Sequence, residues 1–477
     1  MEKTILTGFL ATCLLFAGCG TSLDIINDNI SAEKPEGTYE TCSTHKENIQ
    51  INTILDSESA KYWQIIPKSE FLKPRIEKTI EIKGEFKEWE PNKFTGKGKL
   101  VKKWSVPNEK NKRRSWEWAT SIPKGWNVFM SGMSSLINPE NGDFQEGIFG
   151  VGITDGERLF INNSMGPSDL SCYSAYNFSN CWKNLWAGWL YQSNLHIVNG
   201  CLIFSGTHEN RIFGEGIFRI NPINGEIIWG IKPKTANYDS YMLYSHTQSA
   251  GGWIWTICTD EDKNYNAKLT KLFRINPQNG SVSHVTLWNV GGIKNINSTD
   301  EEPASLVLQT TKNTIIILNA DTLQKRTINL DSLHNCKNPS AIEIIGVIGQ
   351  KMLLKIGESG DDSRNYVLYN FWRENIIYGE DASMIYFSSR NASCYRKKIL
   401  VLNSGPSTTF TQDYSIQAVD PETLETLWWI DPKEAGPNAR ILCIDWRGVL
   451  IATNHTISCF RAKIKSKILF FLDQMAN

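Results

Sequence analysis

The sequence predicts an all-β chain folded as a β-propeller, a ring of small antiparallel sheets. Three observations predict it. A strand–turn–strand phrase recurs at intervals of about 40 to 55 residues, the length of one propeller blade. Short runs rich in Val, Ile, Tyr and Trp alternate with Gly and Asn turns, as strands do. Long amphipathic helical stretches are scarce.

Taken in chain order, the first element is a leader. "MEKTILTGFLATCLLFAGCG" has an early Lys, an apolar run and small residues before Cys19. The run is about fourteen residues, short of the roughly 20 that a membrane-crossing helix needs. Ala17 and Gly18 directly before Cys19 resemble a bacterial lipobox, with Phe16 where Leu is usual. That resemblance implies cleavage after residue 18 and lipid attachment at Cys19; the alternative is an ordinary secretory signal with an incidental Cys. Gly20 follows, where an Asp would resemble an inner-membrane retention signal, so an outer-membrane address is implied in a Gram-negative cell.

Residues 19–98 form a polar tether and a small uncertain segment. Positions 20–60 are polar and lack apolar periodicity. "TIEIKGEF" reads as a strand, so a hairpin docked on the ring is an option. Basic residues outnumber acidic ones between Lys61 and Arg114, as a solvated surface or as a stripe facing anionic lipid. The whole chain has 50 basic and 50 acidic residues in 477 and a net charge of +0, so nothing points to a nucleic-acid partner.

The ring is assigned to residues 99–462. Seven copies of the phrase are visible. In "SLINPENGDF" the turn opens at Asn138 and reaches Gly142; "AYNFSNCWKNLW" centres on Asn177. "RINPINGEIIW" has Asn221, Gly225 and Trp229, and "RINPQNG" has Asn276 and Gly280. Looser copies centre on Asn319 and Asn370, and "AVDPETLETLW" carries Ala418, Asp420 and Trp428. Asn or Asp ends a strand by bonding the following turn, Pro presets the turn dihedral, and Gly supplies positive φ. The large aromatic then serves as packing against a neighbour, because one blade cannot bury both its faces. "GVLIATNHTISCFRA" is an incomplete eighth copy, closed by a strand from the front of the ring such as "KLVKKWSVP". Eight four-stranded blades are therefore expected, with seven the alternative. The tail, residues 463–477, holds "ILFFL", a competing closing strand or a short helix.

These phrases resemble the PQQ-like propeller repeat, Ala-x-Asp-x-x-Thr-Gly-x-x-x-Trp. Ala418, Asp420, Thr423 and Trp428 match in one copy, and Asn221, Gly225 and Trp229 in another. The docking aromatic is missing after Asn138, Asn276 and Asn319. Lipobox and repeats together resemble the BamB family of outer-membrane lipoproteins. That resemblance implies a non-catalytic scaffold that binds another envelope protein, possible at either the periplasmic side or the cell surface. Quinoprotein dehydrogenases share the repeat, but the Cys-Cys dipeptide of that group is absent here, and so are the Gly-x-Ser-x-Gly, His-Glu-x-x-His and Walker signatures. No catalytic residue, cofactor or metal site is assigned. "DEDKNYN", from Asp260, lacks the Gly and Glu of a calcium loop and reads as a solvated turn.

Two questions stay open at this level. "CWKNLWAGWLY" and "GGWIWTIC" are either blade packing or aromatic platforms for a glycan or small ligand. Cys172 and Cys181, in "CYSAYNFSNC", are either a disulfide or two buried thiols.

Overall fold

In a computed structural model, the described residues lie between 53 and 463. Outside them stand 1–52 and 464–477, with Cys19, and internal stretches. The longer of these are 80–84, 108–115, 163–168, 186–193, 208–214, 235–246, 262–266, 330–341, 357–364, 379–399, 405–414 and 420–425, the last with Asp420. Among the described residues no helix is long and apolar enough to cross a membrane.

The described strands fall into eight consecutive antiparallel meanders, here called blades one to eight. They occupy 116–146, 151–185, 194–233, 248–287, 293–329, 342–378, 400–430 and 440–462. The strand Gly98–Pro107 completes blade eight. It pairs antiparallel with Thr456–Ala462, from Leu100 opposite Ala462 to Pro107 opposite Thr456. Its first residues also pair in parallel with the last strand of blade seven, joining the two blades into one seven-stranded sheet.

Burial explains why meanders become a ring. Each blade has two apolar faces and covers them only against its neighbours. Contiguous buried clusters join blades one and two, two and three, three and four, four and five, five and six, and seven and eight. A further cluster joins blade eight back to blade one, with Leu450 and Cys459 meeting Trp126 and Val128. The fold is thus a β-propeller, closed between its last and first blades. Closure holds the first and last strands of the ring in one sheet, paired with each other.

Ahead of the ring, the described residues between 53 and 97 run as a strap, with helical turns at Ser59–Tyr62 and Lys68–Glu70. Trp63–Ile65 adds a fifth strand to blade three, and Arg75–Ile76 adds one to blade two. Leu55 bridges Val282 at the edge of blade four.

Candidate functional site: the turn face and its strap

In a meander, the first and third turns of every blade lie on one side. The third turn is the recurring Asn-Pro phrase. At Asn138, Asn221, Asn276, Asn319 and Asn370 the side-chain Oδ1 accepts a backbone N–H two residues on, at 2.8–3.0 Å. The strand therefore ends where the Asn competes for backbone donors. At Gly142, Gly225 and Gly280 φ is +80°, +75° and +73°.

Those glycines have a second duty. A Cβ on Gly142 would lie 2.6 Å from Trp104, on Gly225 2.5 Å from Trp182, and on Gly280 2.7 Å from Trp229. Each Trp comes from the last strand of the preceding blade. Each indole Nε1 donates to the turn's Pro carbonyl: Trp104 to Pro139 (2.8 Å), Trp182 to Pro222 (3.1 Å), Trp229 to Pro277 (3.2 Å). One docking joint is thus built three times, at the eight–one, two–three and three–four boundaries. Where the aromatic is missing after Asn319, Arg326 takes over and donates to the carbonyls of Phe371 (2.9 Å) and Trp372 (3.2 Å) of blade six.

Trp428 ends blade seven, but blade eight has no third turn to receive it, because its fourth strand comes from the other end of the ring. Trp428 stacks edge-on against Phe94 instead, at 6.0 Å. Its buried Nε1 finds no acceptor among the described residues. Ala418, directly opposite Trp428, is fully buried.

One register needs correction. In blade two the turn opens at Ser174, not Asn177: Ser174 N–H donates to Ser179, and Phe178 N–H to Ser174, as Asn221 does with Glu226 and Gly225 with Asn221. Phe178 then holds the position of Gly225, at φ +56°. Asn177 makes its own smaller turn to Ser179. The visible Asn draws the alignment, while the Ser that does the same backbone work has no distinctive sequence signal. Trp104 and Trp182 likewise escape sequence reading as docking residues; their place, eight residues after a blade's turn-opening residue or in the closing strand, is legible only once the register is known.

On the same face, blade eight's first turn locks onto blade one. The Asp445 carboxylate accepts from Ser121 Oγ (2.6 Å), Trp126 Nε1 (2.8 Å) and Arg447 Nη2 (2.5 Å). Arg447 also donates to the carbonyl of Ile122 and stacks on Trp446, which is 40% exposed. The strap crosses here: Trp89 N–H donates to Thr154 of blade two, Trp446 N–H to Asn92, and the rings of Trp89 and Trp446 meet edge to face at 5.8 Å.

The strap's other end is held by charge and by one ring. Trp63 is buried between blades three and four. Glu58 pairs with the buried Lys271, whose ammonium lies over Tyr62 at 4.3 Å. Hydrogen bonds from Lys271, and then from Lys61, hold the Glu58 carboxyl down at about 2. Burial pushes Asp56 up, but bonds from the Ser59 N–H and from His284 outweigh it and hold its carboxyl at about 2. His284 stands eight residues after Asn276, where Trp229 stands after Asn221, so the strap occupies a joint that lacks its aromatic.

The aromatic phrases divide. Trp182 and Trp255 are fully buried, the latter donating to Ala250, which places both in blade packing. Trp186 and Trp189 lie outside the described residues. Among the described residues no group of three or more His, Cys, Asp and Glu is placed to hold a metal ion.

Comparison with known proteins gives fold-level likeness. No family model and no curated protein sequence matches the chain. Among solved structures, BamB from Moraxella catarrhalis is similar at 9% identity and TM-score 0.42, over 76% of this chain and 99% of that one. A quinohemoprotein alcohol dehydrogenase from Pseudomonas putida aligns at 9% identity and TM-score 0.41, over 79% of this chain and 78% of its own. The Pan2 WD40 domain of Neurospora crassa aligns at 10% identity and TM-score 0.38, over 78% and 98%.

Proposed function

We propose that this chain is a lipid-anchored bacterial envelope propeller that works as a non-catalytic scaffold for another envelope protein, with outer-membrane protein assembly as its setting. In this reading Cys19 carries the acyl chains, residues 20–52 are the tether, the ring faces the periplasm, and the eight meanders are its full complement of blades. The supporting observation is the strap. It adds outer strands to blades two and three and leaves Ile65 and Ile76 on them 45% and 46% exposed. An open strand edge with an exposed apolar side chain suits a partner that adds a strand of its own. The buried Asp445–Arg447 pair of the turn face, by contrast, is committed to holding blades eight and one together.

The test is crosslinking in cells of the tagged full-length protein, followed by mass spectrometry. Recovery of an outer-membrane barrel-assembly protein supports the proposal; recovery of lipid and abundant envelope proteins alone overturns the assembly role. Fatty-acid labelling that survives Cys19→Ala overturns the anchor.

A further inference from the structure

Blade two holds two cysteines on neighbouring strands, both in the buried cluster it shares with blade three. Cys172 lies in the strand Asp169–Ser174 and Cys181 in the neighbouring strand Asn180–Leu185, both as buried thiols. Cys172 pairs with Trp182 and Tyr173 with Asn180, so Cys181 is the extra residue of a β-bulge. A bulge sets two residues of one strand against one of the other. In a regular ladder Cys181 and Trp182 would point to opposite faces; here Cys172, Cys181 and Trp182 all belong to the same buried cluster. The Cys181 thiol donates to the Ser179 carbonyl at 3.7 Å, which leaves its sulfur to accept from Cys172. The bulge sets Cys181 and Trp182 together against Cys172, so the two sulfurs belong to neighbouring strands of one sheet.

The surroundings distinguish the two sulfurs. Arg158 is buried, bound to Asp155 through Nε and Nη2, and its Nη1 has no partner among the described residues. Its positive charge favours the thiolate at both cysteines. For Cys172 burial dominates and pushes the thiol well up. For Cys181 the hydrogen bond from Cys172 comes first and, with Arg158 and Lys78, brings the thiol down against burial. The strap lies directly over this sulfur's residue: Glu77 and Lys78 both donate their N–H to the Cys181 carbonyl, at 3.0 and 2.8 Å.

We infer that Cys172 and Cys181 are a redox pair that closes to a disulfide by exchange with a thiol-oxidising disulfide, beneath the strap. Cys181 thiolate attacks one sulfur of the donor disulfide, forms a mixed disulfide and expels the first donor thiolate. Cys172 attacks Cys181 Sγ, the mixed disulfide breaks, and the second donor thiolate leaves with the Cys172 proton as a thiol. The protein loses two electrons and two protons, and the donor disulfide becomes two thiols. Strand order sets the sequence of steps: Cys181 lies in the outer strand of blade two, beside the strap, and attacks, and Cys172 lies in the strand behind it and resolves. Closure ties the last two strands of blade two together at the point where the strap docks.

The test uses the reduced full-length protein, oxidised glutathione and native conditions, with alkylation and peptide mapping at timed intervals. The expected product is one peptide pair linked Cys172–Cys181, lighter by two hydrogens, with no lasting glutathione on either residue. Persistent glutathione on Cys181, or two thiols still free in fully oxidising buffer, would overturn the proposal. Lys78→Gln is exposed and outside the packed cluster, so it keeps the fold. Each unit by which the Cys181 thiol rises cuts its thiolate tenfold and returns about threefold in nucleophilicity, so closure slows by up to about threefold in this variant. A rate faster than that of the parent protein would contradict the assigned order of attack.

Discussion

The docking joint makes a prediction with opposite signs at two chemically identical sites. Trp229 and Trp428 are 3% and 0% exposed, and each ends its blade. Trp229 Nε1 donates to Pro277; Trp428 Nε1 has no acceptor among the described residues. Replacing each with Phe removes the same atoms, so the transfer and cavity costs largely cancel between the two variants. What remains is polar. Trp229→Phe loses a hydrogen bond and strands the Pro277 carbonyl, which costs about 1–2 kcal/mol. Trp428→Phe removes a desolvated N–H that bonds nothing among the described residues, which returns about 1–2 kcal/mol. Trp229→Phe should therefore be the less stable variant by about 2–4 kcal/mol. Guanidinium unfolding of the full chain, followed by far-UV circular dichroism, reads this as a lower midpoint. Equal midpoints, or a lower one for Trp428→Phe, would refute the assignment of the Pro carbonyl as the working acceptor.

Three further outcomes follow from the same geometry. Gly280→Ala meets both a positive φ and the Trp229 ring, and should lose about 2–5 kcal/mol, whereas Gly98→Ala, at φ +74° with open space, should lose only the backbone part of about 1–2 kcal/mol; calorimetric melting temperatures separate them. Arg447→Met leaves the buried Asp445 carboxylate without its cation and should cost about 3–5 kcal/mol, with Asp445→Asn added on top recovering part of it; an uncorrected double variant would argue against the pair. The strap should loosen in acid: Asp56 stands at about 2 when folded against an ordinary 3.8, so its contribution is present above 3.8 and lost as pH falls toward 2. Asp56 is more than a third exposed, which limits this to under about 1 kcal/mol. Hydrogen exchange at residues 53–66 should rise in that window before exchange in the ring does, and Asp56→Asn should flatten the response in part, Glu58 supplying the rest.

The fold was legible because its signal is local and repeated. Asn, Pro and Gly at fixed offsets act on their own backbone, so "NPING" and "NPQNG" declare a turn without any knowledge of what packs nearby. The signal fails where another residue can do the same backbone work. Ser174 and Phe178 build the turn that Asn177 advertises, and Leu323 takes the positive-φ position after Asn319, at +60°. The strap was illegible for a different reason. Its strands are three and two residues long, and the partners of Asp56, Glu58 and Trp63 lie more than 150 residues away in blades three and four.

By itself, then, the sequence determined the repeating unit: strand, Asn-led turn, Gly at positive φ, and an aromatic eight residues on. Those are choices of backbone dihedral and side-chain size, made within a dozen residues. Only the tertiary structure decided which blade receives each Trp, and that a bulge turns Cys181 toward Cys172; the closing strand 99–107 was offered by the sequence beside the competing "ILFFL", and the pairing with Thr456–Ala462 selects it. These outcomes depend on register and on surfaces covered at long range, and a one-residue slip, which leaves composition and periodicity unchanged, moves a side chain to the other face of its sheet.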